Sequence, residues 1–558
     1  MPIEYSVNIG FSDVYDDYEN INVVDLVRDI PTKMALTLIC HHTSQIHTQE
    51  KNAQYQLQTI RNWYERFNED VIDKVETFIK RVNSKHSGSF NFINNVSSLY
   101  LIECLIENHN ELPTVDNLTP EQEENLFKAY IFFSSKWTAE QLVGVNKYKD
   151  SPFFMGLIML LTYSELFEFK DFRIQFLKAV YFFKFCEENE LFKGYLDAFL
   201  SDKGLKSWNQ YLFNLLSIYV TLLQEGNPKS VLEFAKGSEE VFNALENFCV
   251  NINDFRSSLD FLTLREKPIY RVSDAELMFL NLNFLIDKVY QSIIFDFADV
   301  LVRRKITYNG KAIANKMQFI GIFGDEFIES GLFYKLMRHT FRQKHYIHYT
   351  GDELKNKFGD GAPDYLIVDN GKLYVFEFKN TLFSGSVKYS YDIDAIKKEL
   401  EKKFVNNDQG KPKGVTQLVN FFEDLADGKY RSVLDKGTNY IIYPIIITTD
   451  YTFVLPVIYT LVASRFNEVF KSRNLKLTSQ KLTMIDLDSI IKFQDLFIER
   501  KLTLNHVLAD YQKYLKQGTT EIDKSLSFHR YIHDKTNKID YNTPKMFLEE
   551  VENSLFKL

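Results

Sequence analysis

Asp364 stands near the start of the stretch Pro363–Lys379, PDYLIVDNGKLYVFEFK, with Glu377 and Lys379 at its end. Two apolar runs, rich in β-branched and aromatic residues, flank Asn370-Gly371. Asn-Gly between such runs is the strongest short hairpin signal, because a type I′ turn needs positive φ at both central positions. Centring the turn there puts Asp369 opposite Lys372 and, further along the strands, Asp364 opposite Glu377. Side chains alternate between faces along a strand. One face therefore carries Asp364, Leu366, Val368, Leu373, Val375, Glu377 and Lys379. The other carries Tyr365, Ile367, Tyr374, Phe376 and Phe378, is wholly apolar and must be buried. Opposed carboxylates about 5 Å apart repel and weaken a sheet. A cation between them removes that penalty, and oxygen-only ligands suit Mg²⁺ or Mn²⁺.

The elements around this hairpin extend the pattern. Residues Gly324–Phe341 (GDEFIESGLFYKLMRHTF) read as an amphipathic helix before it, and Gly414–Leu425 (GVTQLVNFFEDL) as a helix after it. The order then continues with a buried strand (Tyr443–Thr449), a helix (Pro456–Phe470), a further strand and a further helix. Pro363-Asp364, a hairpin and Glu377-Phe378-Lys379 in this setting resemble the PD-(D/E)XK nuclease superfamily, over residues 310–500 and not before them. A second Glu-Phe-Lys triplet, Glu168-Phe169-Lys170, lies in a helical stretch with no Pro-Asp hairpin before it and is set aside.

The resemblance implies a restriction-endonuclease-like α/β domain with a mixed central sheet. It also implies metal-dependent phosphodiester hydrolysis. Asp364 and Glu377 would hold Mg²⁺ (or Mn²⁺), with the Phe378 carbonyl and a glutamate of the upstream helix completing the site. Glu329 is preferred for that glutamate because Leu332, Phe333 and Leu336 follow it on one stripe; Glu326 is the second candidate. Lys379 would orient the attacking water and offset phosphate charge, and Gln417 would position the water or Lys379. The metal and the two carboxylates act on the Lys379 pKa in opposite directions. Lys397, Lys398, Lys402, Lys403, Lys411 and Lys413 follow the hairpin and form a basic stretch that could hold a nucleic-acid backbone, although a mixed-charge helix such as Asp392–Phe404 is also an ordinary solvated face.

The rest of the 558-residue chain reads differently. Residues 1–305 run as helix after helix, for example Tyr55–Val82, Tyr211–Leu223 and Asp274–Val302, with capping signals at Thr119-Pro120 and Thr138–Gln141. The expected architecture is an α+β multidomain chain. An all-helical region, 1–305, with a regulatory or partner-binding role is followed by the nuclease-like domain, 306–558, with a C-terminal helical extension and a boundary within Arg303–Lys316. Lys plus Arg number 27 against 43 Asp plus Glu in residues 1–300, and 39 against 32 in residues 301–558. The net charge of −9 thus conceals an acidic first half and a basic second half. An acidic helical half repels nucleic acid and suits a protein partner or a second copy of the chain.

No apolar run reaches the roughly 20 residues that a membrane span needs, and no leader is visible at the start. Four widely spaced cysteines (40, 104, 186 and 249) fit buried thiols in a reducing cytoplasm. His41, His42 and His47 lack partners at metal-ligand spacing, and His345 and His348 read as strand residues. The expected activity is a cytoplasmic Mg²⁺-dependent nuclease, with DNA the first substrate to try and RNA open. By analogy with helical modules fused to such domains, it would serve as an effector of bacterial anti-phage defence. The competing expectation is a non-catalytic nucleic-acid- or protein-binding module that keeps the nuclease fold.

Overall fold

A computed structural model describes residues 7–16, 18–49, 53–85, 90–113, 117–166, 170–224, 228–434, 439–521, 523–536 and 544–556. The chain divides into two units. One is built from Gly144–Glu165 and Met317–Glu552; the other comprises the described residues of 4–143 and 166–316, with the chain end. No described helix is long and apolar enough to cross a membrane.

The first-named unit holds a mixed six-stranded sheet. Its strands are β1 (Ile347–Thr350), β2 (Tyr365–Asp369), β3 (Lys372–Lys379), β4 (Ile441–Thr448), β5 (Thr478–Ser479) and β6 (Thr483–Asp486). β1, β2 and β3 run antiparallel in that order; β4 lies parallel to β3, and β5 and β6 both pair parallel with β4. The central strands β3 and β4 are buried almost throughout, as near-continuous apolar runs in a parallel pair require.

The hairpin of β2 and β3 has the expected register: Lys372 pairs with Asp369 and, at the far end, Phe376 with Tyr365. Asn370 and Gly371 both have positive φ, 41° and 80°. An L side chain at Gly371 would be strained, so Gly371→Ala is expected to cost about 1 kcal/mol, measured by urea denaturation.

The upstream helix is one continuous rod with a change of pitch. Lys316–Phe323 is α-helical, Gly324–Phe333 is π-helical, and Tyr334–Thr340 is α-helical again. The Tyr334 N–H donates to the Glu329 carbonyl, five residues back, where an α-helix would use four. Phe333 stacks on Phe378 at 4.9 Å and meets Tyr365 edge-on at 5.7 Å, so this helix covers the apolar face of the hairpin. Beyond the hairpin come α1 (Ile393–Phe404) and α2 (Gly414–Ala426). Three helices, Leu504–Lys516, Phe528–Thr536 and Lys545–Val551, form the C-terminal extension.

The division of the chain differs from a single cut near residue 305. The return to the sheet-bearing unit at Met317 falls just past the polar Arg303–Lys316 stretch, but Gly144–Glu165 also belongs to that unit. Its contacts explain why. The Tyr148 hydroxyl accepts from the Ile393 N–H at 2.9 Å, Tyr163 packs on Tyr389, and the Lys397 ammonium lies over the Phe154 ring.

The expectation of an all-helical region before residue 306 also needs correction. Val231–Glu233, Ile269–Arg271 and Glu276–Phe279 form a three-stranded antiparallel sheet among the helices. Strands of three or four residues are too short to show a period of two, and Glu276–Phe279 runs straight into the helical pattern that follows it.

Candidate active site

Asp364 and Glu377 lie one step beyond the last paired residues of β2 and β3. In place of a further ladder bond, Asp364 turns its carboxylate onto the partner strand, where Oδ2 accepts from the Phe378 N–H at 2.6 Å. The Asp364 carbonyl accepts from the Gly351 N–H at 2.7 Å, which ties this end of β2 to the start of the preceding helix, Gly351–Phe358. Glu377 is fully buried. Its Oε1 accepts from the Lys379 ammonium at 2.7 Å, and its Oε2 is buried with no hydrogen-bond partner among the described residues. A buried carboxylate oxygen without a partner is costly, and either a cation or a proton shared with Asp364 would relieve it.

Glu329 faces the same group from the helix. It stands one turn before Phe333, and its Oε1 accepts from the Tyr334 hydroxyl at 2.8 Å. Of the two helix glutamates, Glu329 interacts with Asp364, Glu377 and Lys379. Asp325, four residues earlier and so on the same side of the rod, also faces Asp364. Sequence reasoning passed over Asp325; its spacing from Glu329 was the signal that could have found it.

The electrostatics follow from burial. Burial first, and then Asp364, push the Glu377 carboxyl up to about 8. Burial and Asp364 push Glu329 up to about 7, against the Tyr334 hydrogen bond. Asp364 is raised by burial, opposed by Lys379 and the Phe378 N–H. Burial alone would lower Lys379, but Glu377 and Asp364 outweigh it and hold the ammonium above its usual value. The carboxylates thus favour the protonated form of Lys379, and burial favours proton uptake by Glu377 and Glu329 when no other cation is present.

α2 closes the Lys379 side. A Cβ at Gly414 would stand 3.4 Å from Lys379 Cε and 3.5 Å from Ile446 Cδ1. Gln417, one turn along α2, is half-buried, and its side-chain oxygen is buried without a partner among the described residues. Thr448 pairs with Lys379 across the parallel strands; it is fully buried and its hydroxyl also lacks a partner. In-register residues of parallel strands share a face, which makes Thr448 a second residue that sequence reasoning missed.

Asp364, Glu377, Lys379 and Glu329 are thus gathered at one end of the β2–β3 hairpin, and Gln417 lies on the helix that closes the Lys379 side. The basic stretch is not gathered as a whole. Lys397, Lys402 and Lys403 pair with Asp394, Asp408 and Glu399, while Lys398 and Lys411 are exposed. Lys413 alone of the six interacts with Lys379, Glu377 and Asp325.

Among the described residues, no three His, Cys, Asp or Glu side chains are arranged as a group that could hold a metal ion as they stand. The donor set nonetheless fits Mg²⁺, which is ordinarily held by one or two carboxylates together with water and substrate oxygens. Asp364 and the Oε2 of Glu377 would supply those carboxylates, and the Phe378 carbonyl lies between Glu377 and Lys379 in the chain.

Two other groupings do not read as sites. Ser489 Oγ lies 2.6 Å from Asp486 and 2.8 Å from His529 Nδ1. Here the serine stands between acid and imidazole, so histidine does not link acid to nucleophile as a hydrolase triad requires. His348 bridges the Tyr365 hydroxyl and the Phe341 carbonyl, and His47 contacts the Tyr219 hydroxyl; both are structural.

No protein-family model, curated protein or solved structure matches the chain.

Proposed function

We propose that the sheet-bearing unit is a restriction-endonuclease-like nuclease of the PD-(D/E)XK type, hydrolysing phosphodiester bonds of nucleic acid, DNA in the first instance, with Mg²⁺ or Mn²⁺. The observation that carries this reading is the end of the β2–β3 hairpin. A buried Glu377 with an unpartnered oxygen, Asp364 and a protonated Lys379 converge there in a register that a purely structural hairpin has no need of. Asp364, Glu377 and the Phe378 carbonyl would hold the ion, with Glu329 completing the set. When bound, it would acidify a water and neutralise developing charge on the phosphate. Lys379 Nζ would donate to the attacking water or a non-bridging phosphate oxygen, and the Gln417 amide would orient that water. The acidic helical unit would take a partner protein, a second copy or a signal. A role in anti-phage defence rests on analogy with other helical fusions.

One observation favours the second reading, a binding module without chemistry: the Lys379 ammonium already neutralises one Glu377 oxygen. Plasmid, linear duplex and single-stranded DNA and RNA, each with Mg²⁺, Mn²⁺ or EDTA, separate the two. Metal-dependent cutting is expected, reduced at least about 100-fold in Asp364→Ala and Lys379→Ala, the loss typical of removing one group that stabilises a transition state. Binding without cutting in every metal would favour the module.

A further inference from the structure

The six lysines after the hairpin differ in what already neutralises them. Lys397, Lys402 and Lys403 have carboxylate partners on or beside α1. Lys413 has none within ion-pair distance among the described residues. It is half-buried where an ordinary surface lysine is exposed, and its main chain is pinned by a 2.8 Å bond from its N–H to the Val405 carbonyl.

The next residue sets its position. Gly414 starts α2 against the end of β3, where any side chain would crowd Lys379 Cε at 3.4 Å and the Phe404 carbonyl at 3.3 Å. The start of α2 at Lys413-Gly414 thus lies close to Lys379, and the Lys379 ammonium acts on Lys413 electrostatically. Burial, Lys379 and Lys411 together hold Lys413 below the usual lysine range, with Glu377 and Asp325 only partly offsetting them. Lys379 is engaged by Glu377; Lys413 is not engaged. Lys413 has no ion-pair partner among the described residues and feels the charge of Lys379, and an anion between the two would relieve that repulsion.

We propose that Lys413 anchors a phosphate of the substrate strand beside the reacting centre, sharing it with Lys379, and that the ion-paired lysines of α1 make no such contact. The identity of the anion as a strand phosphate rests on the nuclease reading.

The test is equilibrium binding of a fluorescein-labelled duplex and the matching single strand, in EDTA, across a series of NaCl concentrations. Each phosphate contact contributes about 0.9 to the slope of log K against log salt for a duplex and about 0.7 for a single strand. Lys413→Ala is expected to flatten the slope by about one contact and weaken binding alike for all sequences. Lys413→Arg should retain the slope, and Lys397→Ala and Lys402→Ala should leave it unchanged. Equal melting temperatures would exclude a folding defect.

An unchanged slope in Lys413→Ala, or no binding by the wild type at low salt, overturns the proposal. Binding of AMP that is lost in Lys413→Ala while strand binding keeps its salt slope would assign the anion to a free nucleotide and also overturn it. Cleavage assayed on the same samples keeps the two readings apart. A wild type that cuts while Lys413→Ala keeps its slope defeats the anchor alone. A wild type that never cuts while Lys413→Ala loses slope defeats the nuclease alone.

Discussion

Glu377→Gln is expected to yield a protein that is inactive and, in EDTA at pH 8.5, more stable than the wild type. Glu377 is fully buried, and one of its oxygens has no partner. Burial and Asp364 raise its carboxyl to about 8, so above that pH the fold holds a charge that it disfavours. Glutamine keeps the shape and can still accept from Lys379 through Oε1. It removes the charge while Asp364 continues to balance the ammonium. The gain should be on the order of 1–2 kcal/mol, the range found when residues kept for function are replaced by better-packed or better-solvated ones. Activity should fall at least about 100-fold, because a neutral carboxamide lacks the negative charge with which a carboxylate holds a divalent cation. Urea denaturation and a cleavage assay on the same preparation measure both. A large loss of stability at every pH would mean instead that Glu377 is there as the partner of Lys379, since breaking a buried ion pair costs about 3–5 kcal/mol. That outcome would remove the main support for a metal site.

The parts of this site legible in the sequence are those governed by local rules. Asn370-Gly371 and the period of two set the hairpin register, and the strands end within a residue or so of expectation: Tyr365–Asp369 against Tyr365–Val368, and Lys372–Lys379 against Leu373–Phe378. Apolar residues at three- and four-residue steps located the helix that carries Glu329. Its π-helical pitch over Gly324–Phe333 leaves no mark on that pattern, and Asp325 was overlooked within it. Thr448 is invisible from sequence because its place beside Lys379 depends on the parallel pairing of strands some 60 residues apart.

The lysines show a different limit. Composition marks a basic stretch, but it does not tell which charges are already cancelled. Lys397 with Asp394 and Lys403 with Glu399 are pairs three and four residues apart on one helix, and that spacing could have been used to discount them. That Lys413 feels the charge of Lys379 follows from the docking of Gly414 against β3, which is tertiary. The same holds for Gly144–Glu165. Nothing in that apolar segment names Tyr389, Tyr391 or Ile393 as its neighbours, and only the folded chain assigns it to the sheet-bearing unit.

A divalent cation is expected to stabilise the protein more strongly the higher the pH. Glu377 and Glu329 have folded values raised to about 8 and about 7, from an ordinary value of 4.5. A carboxyl raised in this way contributes stability that is fully present below its unfolded value and is lost as pH rises through the folded one. The metal-free protein should therefore weaken between about pH 4.5 and pH 8.5. Mg²⁺ or Mn²⁺ binds the ionised carboxylates and so competes with those protons. Near pH 6 the protons win and 10 mM Mg²⁺ should shift the melting temperature little. At pH 8.5 the same ion meets two ionised glutamates and Asp364. An apparent dissociation constant one hundred-fold below the free concentration would there add about 2.7 kcal/mol, a shift of several degrees. Melting curves with MgCl₂ and with NaCl of matched ionic strength, at pH 6.0, 7.0 and 8.5, read this directly. In Glu377→Gln the pH dependence of the shift should flatten, because the most strongly raised carboxyl is gone. A shift equal at all three pH values, or reproduced by NaCl, would place the ion away from these carboxylates. The high carboxyl values would then reflect burial and mutual repulsion in a site that binds protons and not metal.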